Sequence, residues 1–313
     1  MDRAKLLLGV ITLIALVGHS YGDPESKIAF QRFAGGPLLL MDVDGSDQRP
    51  ITKEPGSFPS WSPDHTELAL ERGGYIYIVN LDGSDERKVV HGMAPAWSPG
   101  GKEISFSRVR SEVSKADLYV VETTSIKERK VAEGLYPSWS PDGKRIAYSN
   151  LGLSLQWAVD RSTKVYTVAI DGSSMLELTD GFMPSWSPDG SQMLFLKIDG
   201  GPLFGGESSV SMYVMDVVGD KQVRLVEGIA ATEAVSFGLT RSGSWSPDGS
   251  KIVFAKMEET APNTSGAVIY VMDADGGNQV KIAEGVNPAW SPLFEVTTHV
   301  EETSWGETKS GSR

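Results

Sequence analysis

The chain has 313 residues, 40% of them apolar and 22% charged, with no low-complexity tract; this excludes wholesale disorder and allows one large or two small domains. A formal net charge of -12 and a pI near 4.9 have the wrong sign for attraction to nucleic acid, so no nucleic-acid partner is expected. The absence of cysteine removes disulfides, thiolate metal sites, a cysteine nucleophile and a lipidated N-terminal cysteine, and leaves four histidines for ligand or base chemistry.

In chain order, Met1 to Lys5 carries Arg3 and Lys5, Leu6 to Val17 is an apolar run, and Gly18 to Gly22 supplies small residues before Asp23. That is the order of a secretory signal peptide over residues 1–22, cut after Gly22. The apolar run falls short of the roughly 20 residues of a membrane-spanning helix, and no second stretch approaches that length. The expected product is an acidic periplasmic or secreted protein with no transmembrane segment. Gly18-His19-Ser20-Tyr21-Gly22 matches the G-x-S-x-G nucleophile elbow, but that motif needs a strand before it and a helix after it, and here it falls on the cleavage site.

From residue 23 the chain repeats itself. It enters at a strand, Ile28-Ala29-Phe30, followed by Leu38 to Met41 and a third strand near Pro50 to Thr52. Trp-Ser-Pro then recurs six times, at Trp61, Trp97, Trp139, Trp186, Trp245 and Trp290, at intervals of 36, 42, 47, 59 and 45 residues. A typical unit reads Pro-Ser-Trp-Ser-Pro-Asp-Gly, then Ile146-Ala147-Tyr148, then a strand such as Ile269 to Asp273, then Asp-Gly, then one such as Leu176 to Thr179. Ser140-Pro141-Asp142-Gly143 is turn chemistry, because proline presets φ and glycine accepts the left-handed conformation after it. Asp44-Gly45, Asp82-Gly83, Asp171-Gly172 and Asp275-Gly276 mark hairpins between the later strands. Four strands repeating every 40 to 45 residues or so are the signature of a β-propeller blade.

With strand A ending in Trp-Ser and B, C and D following, the chain begins on B, C and D and ends its repeats on a lone A, Asn287 to Ser291. Joining these pieces gives a sixth blade and no open seam. The predicted fold is all-β: a six-bladed β-propeller of four-stranded antiparallel blades over residues 23–292, with a polar tail over 293–313. A small residue before each tryptophan (Ser60, Ala96, Ser138, Ser185, Ser244, Ala289) suggests large-against-small packing between blades, a structural role for all six tryptophans.

Pro-Ser-Trp-Ser-Pro-Asp-Gly followed by Lys-Arg-Ile-Ala-Tyr, together with Ile-Tyr-Val-Met-Asp-Ala-Asp-Gly, resembles the WD-like repeat of the TolB-type β-propellers over about residues 25 to 292. The namesake of that family is a periplasmic component of the Tol-Pal envelope system and pairs its propeller with an N-terminal α/β domain. The present sequence leads from its signal almost straight into the first blade, so contacts made through that domain do not carry over. The repeat itself does not specify an activity.

Strand direction puts the uniform A-to-B and C-to-D turns on one end of the ring. Every long insertion falls on the other, over 149–164, 198–210, 229–242 and 256–267. Variable loops on a rigid scaffold are where binding residues concentrate, so this end is the expected binding face. Residues entering strand A should line the channel mouth: Phe58, Tyr136, Met183, Arg241 and Asn287. Trp157, Arg161, Phe204 and Phe237 in the insertions are types common at interface anchors, although each could equally pin its own loop. Arg32, Arg72, Arg108, Asn150, Lys197 and Lys256 follow strand B, and Glu54, His91, Glu133, Asp180, Glu227 and Glu284 follow strand D. Arg108 and its counterparts could form an anion-recognising mouth; the matching acidic ring favours salt bridges between strands.

The histidines share no metal-binding spacing, and the Asp-x-Asp-Gly turns put glycine two places too early for a calcium loop. No catalytic residue, metal ligand or cofactor is therefore assigned. The leading functional expectation is a monomeric, non-catalytic binding scaffold for a protein or cell-envelope polymer. The competing one is a carbohydrate-active lyase or hydrolase using carboxylates such as Asp160, Glu207 and Glu233.

Overall fold

The computed structural model describes residues 26–110, 115–150, 162–200, 208–217, 221–231, 243–261 and 264–292. The expected signal peptide and polar tail lie outside them. Every regular element among the described residues is a strand. The chain opens with β1 (Lys27–Gln31), β2 (Pro37–Asp42) and β3 (Arg49–Pro55). Blade 2 is β4 (Ser57–Trp61), β5 (Glu67–Arg72), β6 (Tyr75–Asn80) and β7 (Arg87–His91). Blade 3 is β8 (Met93–Trp97), β9 (Glu103–Arg110), β10 (Lys115–Glu122) and β11 (Glu128–Glu133). Blade 4 is β12 (Leu135–Trp139), β13 (Arg145–Ser149), β14 (Lys164–Ala169) and β15 (Leu176–Asp180). Blade 5 is β16 (Phe182–Trp186), β17 (Gln192–Gly200), β18 (Ser208–Asp216) and β19 (Gln222–Ala231). Blade 6 is β20 (Ser244–Trp245), β21 (Lys251–Ala261), β22 (Thr264–Asp273) and β23 (Val280–Glu284). The last strand, β24 (Val286–Trp290), returns to pair with β1 and makes the sheet β24-β1-β2-β3, which is blade 1.

The six four-stranded antiparallel sheets are those the repeat predicts, closed as expected by C-terminal strand A on N-terminal strands B, C and D. In the closing pair Ile28 faces Trp290 and Ala29 faces Ala289, while the Lys27 N–H donates to Ser291 Oγ (3.0 Å). Each Ser-Pro-Asp-Gly turn is tied by its aspartate. Asp142 Oδ1 accepts from Ser140 Oγ (2.7 Å) and the Lys144 N–H (3.0 Å), and Asp64, Asp189 and Asp248 repeat the pattern. Blade 3 carries Gly100 in that place.

Within blades 3 to 6 an aromatic residue on strand B stacks on a tyrosine of strand C: Phe106 on Tyr119, Tyr148 on Tyr166, Phe195 on Tyr213 and Phe254 on Tyr270, with centroids 5.6–5.7 Å apart. The edge of that ring fixes the residue five before the tryptophan in blades 3 and 4. A Cβ on Gly92 would lie 2.3 Å from Phe106 Cδ2, and one on Gly134 2.3 Å from Tyr148 Cδ2, so only glycine fits. This packing presses strand A close to its own blade.

Strand A departs from regular pairing in a way that shapes the axis. Its register with strand B slips by one residue just upstream of the residue preceding the tryptophan, in β4, β8, β12, β16 and β24. Inside each slip sits a left-handed residue: Phe58 (φ 53°), Ala94 (50°), Tyr136 (57°), Met183 (53°) and Asn287 (52°). Such backbone costs about 1–3 kcal/mol per residue and persists only where packing holds it. Five repeats of it at the axis make it part of the architecture.

Candidate functional site

The left-handed residues converge. Phe58 on blade 2 and Tyr136 on blade 4 reach past the small Ala94 of blade 3, and their rings meet at 6.0 Å and 53°. Phe58, Ala94, Met183 and Asn287 are 2–4% exposed. Together they floor the axis toward the long-loop end. Asn287 is the polar member of this floor; its Nδ2 donates to Gln31 Oε1 (3.0 Å) and its Oδ1 is buried without a partner.

Above the floor lies a funnel of about 380 Å³, open toward the Ser-Pro-Asp-Gly end. Its wall is built in tiers: Pro59, Pro137 and Pro184 next to the floor, then serine or alanine, then the tryptophan edges, then Pro63, Pro99, Pro141 and Pro292 at the turns. Among the described residues that line it none carries a formal charge, and Tyr136 is the titratable group. A recess of about 800 Å³ between blades 3 and 4 shares Ser98, Pro99, Trp139 and Pro141 with the funnel, beside Gly100 and Gly101.

The tryptophans hold the wall by an alternating scheme. Those of blades 2, 4 and 6 donate their indole N–H to the preceding blade: Trp61 to Ala289 O (3.0 Å), Trp139 to Ala96 O (3.1 Å) and Trp245 to Ser185 O (3.3 Å). On blades 3, 5 and 1 the tryptophan backbone N–H donates to a serine hydroxyl of the preceding blade: Trp97 to Ser60, Trp186 to Ser138 and Trp290 to Ser244, at 3.0–3.2 Å. The indole N–H groups of these three are buried with no acceptor. The small residues before the tryptophans thus do more than make room, since three of them supply hydroxyl acceptors.

Of the residues expected at the channel mouth, Tyr136 and Met183 line the axial cavity, Phe58 packs against Tyr136, and Asn287 is buried against Gln31. Trp157, Arg161, Phe204, Phe237 and Arg241 lie outside the described residues, as do Asp160, Glu207 and Glu233. Arg108 Nη1 and Nη2 bind Glu128 at 3.0 and 2.7 Å, its Nε donates to His91 O (3.0 Å), and its guanidinium sits 4.6 Å above the Tyr119 ring. The guanidinium's hydrogen bonds hold the Glu128 carboxyl below the ordinary carboxylate range. Arg72 repeats the arrangement with Glu86 and Pro55 O. These cations therefore serve cross-strand and blade-linking contacts, with glutamates before or at the start of strand D. On the long-loop end a smaller cleft of about 260 Å³ lies between blades 4 and 5, beside Asp180, Lys197 and Asp199.

Sequence reading missed Ala94, the packing glycines and the serine acceptors. The glycine five residues before the tryptophan recurs at Gly56, Gly92, Gly134, Gly181 and Gly285, in five of the six blades, with Thr240 in blade 6.

A ring of six four-stranded blades around a tryptophan-walled funnel is a β-propeller of the WD-like kind. The chain belongs to the TolB beta propeller domain family, whose pattern matches residues 25–294. No curated protein matches the sequence. Among solved structures the fold is similar to TolB from Acinetobacter baumannii (TM-score 0.70, 20% identity, 87% of this chain and 68% of that one). It is also similar to a putative TolB from Agrobacterium tumefaciens (0.63, 23%, 87% and 94%) and to an oligogalacturonate lyase in complex with manganese (0.52, 16%, 84% and 79%). At these identities the likeness concerns the fold.

Proposed function

We propose that the chain is an exported, non-catalytic scaffold that binds a protein or cell-envelope component, and that the partner enters the axial funnel. The observation that carries this reading is the character of the wall, which among the described residues is mainly proline, serine and tryptophan with no formally charged group. General acid–base catalysis needs a titratable group within hydrogen-bond reach of the reacting atoms, and the described residues of the funnel offer one tyrosine. Uncharged aromatic and proline surface is suited to a neutral, largely apolar segment. Export rests on the charged, apolar and small-residue order of residues 1–22, and a monomer fits a ring closed by its own two ends. No helix among the described residues is long and apolar enough to cross a membrane.

The test is capture from an envelope extract with the chain from residue 23 onward. Ser185→Arg, which puts a charge into the funnel, is expected to reduce retention at least tenfold, read beside Ser185→Ala, which should retain the partner and controls for the loss of packing. Trp157→Ala, Arg161→Ala and Arg241→Ala together are expected to leave it near wild type. The reverse result would move the partner to the long-loop end. Turnover of an oligosaccharide that is lost on replacing Asp160, Glu207 or Glu233 would replace the scaffold reading with an enzymatic one.

A further inference from the structure

The blade 3 turn has the shape of one tied by a carboxylate, which its own sequence does not supply. In blades 2, 4, 5 and 6 the turn aspartate accepts the serine hydroxyl at 2.6–2.7 Å and the N–H two residues further on at 3.0–3.2 Å. Blade 3 reads Ser98-Pro99-Gly100-Gly101-Lys102 and closes the same turn, with the Gly101 N–H donating to Ser98 O (3.0 Å) and the Glu103 N–H to Ser98 Oγ (3.1 Å). Among the described residues neither the hydroxyl hydrogen of Ser98, a residue only 6% exposed, nor the Lys102 N–H has an acceptor. Thr123 fixes the backbone at this point, since its N–H and its hydroxyl both donate to Lys102 O (3.0 and 3.2 Å). The place of the missing side chain is open: a Cβ on Gly100 would meet nothing within 4 Å, and its φ lies outside the left-handed region. That place borders the recess of about 800 Å³ between blades 3 and 4. The acidic residues lining the recess are already engaged, Glu103 with Arg129 (2.7 Å), Glu122 with the Ser125 hydroxyl and Asp142 within its own turn. Lys102, the one cationic side chain of the lining, makes no ion pair among the described residues.

We infer that this notch binds a carboxylate from outside the chain, received by the Ser98 hydroxyl and the Lys102 N–H where the other blades place their aspartate, and that an acidic side chain of the partner supplies it. A carboxylate accepting from a hydroxyl and an N–H makes charge-assisted hydrogen bonds, the stronger kind. The recess shares Ser98, Pro99, Trp139 and Pro141 with the funnel, so a segment leaving the funnel across blades 3 and 4 passes the notch. The notch also sets orientation. A ring of similar blades offers a partner several rotational settings about the axis, and at blades 2, 4, 5 and 6 its carboxylate would face a turn aspartate, a like-charge contact that disfavours those settings. Carboxylate binding stands on the turn alone; the partner as its source rests on the reading proposed above.

Sodium acetate is the probe for the notch, read by the amide resonance of Lys102 in the ¹⁵N-labelled chain. Acetate is expected to move it saturably, while sodium chloride at equal concentration does not. Gly100→Asp supplies the missing carboxylate from within the chain; it is expected to abolish the acetate shift and to raise the thermal midpoint by about 2–4 °C. An acetate shift that is absent, or unchanged in Gly100→Asp, or a midpoint lowered by that replacement, overturns the notch. In capture experiments Gly100→Asp is expected to retain about three- to tenfold less partner than wild type, the worth of one or two hydrogen bonds. Gly100→Ala, which leaves the notch open, is expected to retain as much as wild type. Equal capture by the two variants overturns the partner as the source of the carboxylate. The two readings fail separately. Capture indifferent to Gly100→Asp but abolished by Ser185→Arg sinks only this inference, whereas capture weakened by Gly100→Asp and indifferent to Ser185→Arg sinks only entry into the funnel.

Discussion

Trp61 and Trp97 are 6% and 9% exposed, stand at equivalent positions on neighbouring blades, and differ in whether the indole N–H finds an acceptor. Replacing either by phenylalanine removes similar buried area. At Trp61 it also strips Ala289 O of its indole donor, whereas at Trp97 it deletes a donor that had no acceptor. Trp61→Phe is therefore expected to destabilise the protein more than Trp97→Phe, by about 1–2 kcal/mol in urea unfolding; equal losses would show that the alternation has no energetic content. The turn aspartates make a second residue-scale case. The Ser187 hydroxyl, then the Ser191 N–H and hydroxyl, hold the Asp189 carboxyl down at about 2, below its ordinary 3.8. Asp142 is lowered in the same way by Ser140 and the Lys144 N–H. For Asp64 and Asp248 burial pushes upward and is outweighed by the same kinds of hydrogen bond. A folded-state value below the unfolded one adds stability that is complete above about pH 5 and lost as pH falls through the folded value. The thermal midpoint should accordingly drop between about pH 4 and pH 2. Asp189→Asn should blunt that drop while costing less than about 1 kcal/mol at neutral pH, because the group is solvent-screened.

At the scale of elements, β24 does several jobs in five residues. It pairs with β1, its Ala289 carbonyl accepts the Trp61 indole, and its Trp290 N–H reaches Ser244 on blade 6, so it joins three blades at once. Deleting residues 285–313 should abolish cooperative thermal unfolding or lower the midpoint by well over 10 °C, while deleting only 295–313 should change it by no more than a few degrees; a preserved midpoint in the first variant would disprove closure through this strand. Blade count and closure were legible because Trp-Ser-Pro marks the same place in every blade, and counting strands between marks leaves the orphans to complement each other. The local backbone was not. The left-handed residue precedes proline in five blades and is Phe, Ala, Tyr, Met or Asn, so no residue type announces it. The packing glycine was readable as a period but attracts no notice beside turn glycines that recur as often.

At the scale of the whole molecule, the axial funnel was the harder feature to read. Long insertions point to one end of the ring, and the funnel opens at the other, where the sequence is most uniform. A repeat identifies equivalent residues but not how far they reach across an axis, which depends on which blades carry Phe58 and Tyr136 and which carries Ala94. Arg241 illustrates the limit: it stands four residues before Trp245, whereas Phe58, Tyr136, Met183 and Asn287 stand three before theirs, and blade 6 has Gly243 where the others have proline. Because the funnel wall is uncharged, a partner held there should survive a wash near 1 M salt, where the screening length is about 3 Å; elution by salt alone would place it on the charged rim. The seam between the chain's two ends also bears on timing. Lys27 and Ser291 meet across 264 residues, so a chain emerging N-terminus first can build five blades but cannot shut the ring until β24 appears. Under the export proposed above, the polypeptide would reach the far side of a translocation pore before its last contact could form, and the order of synthesis itself delays the final folding step.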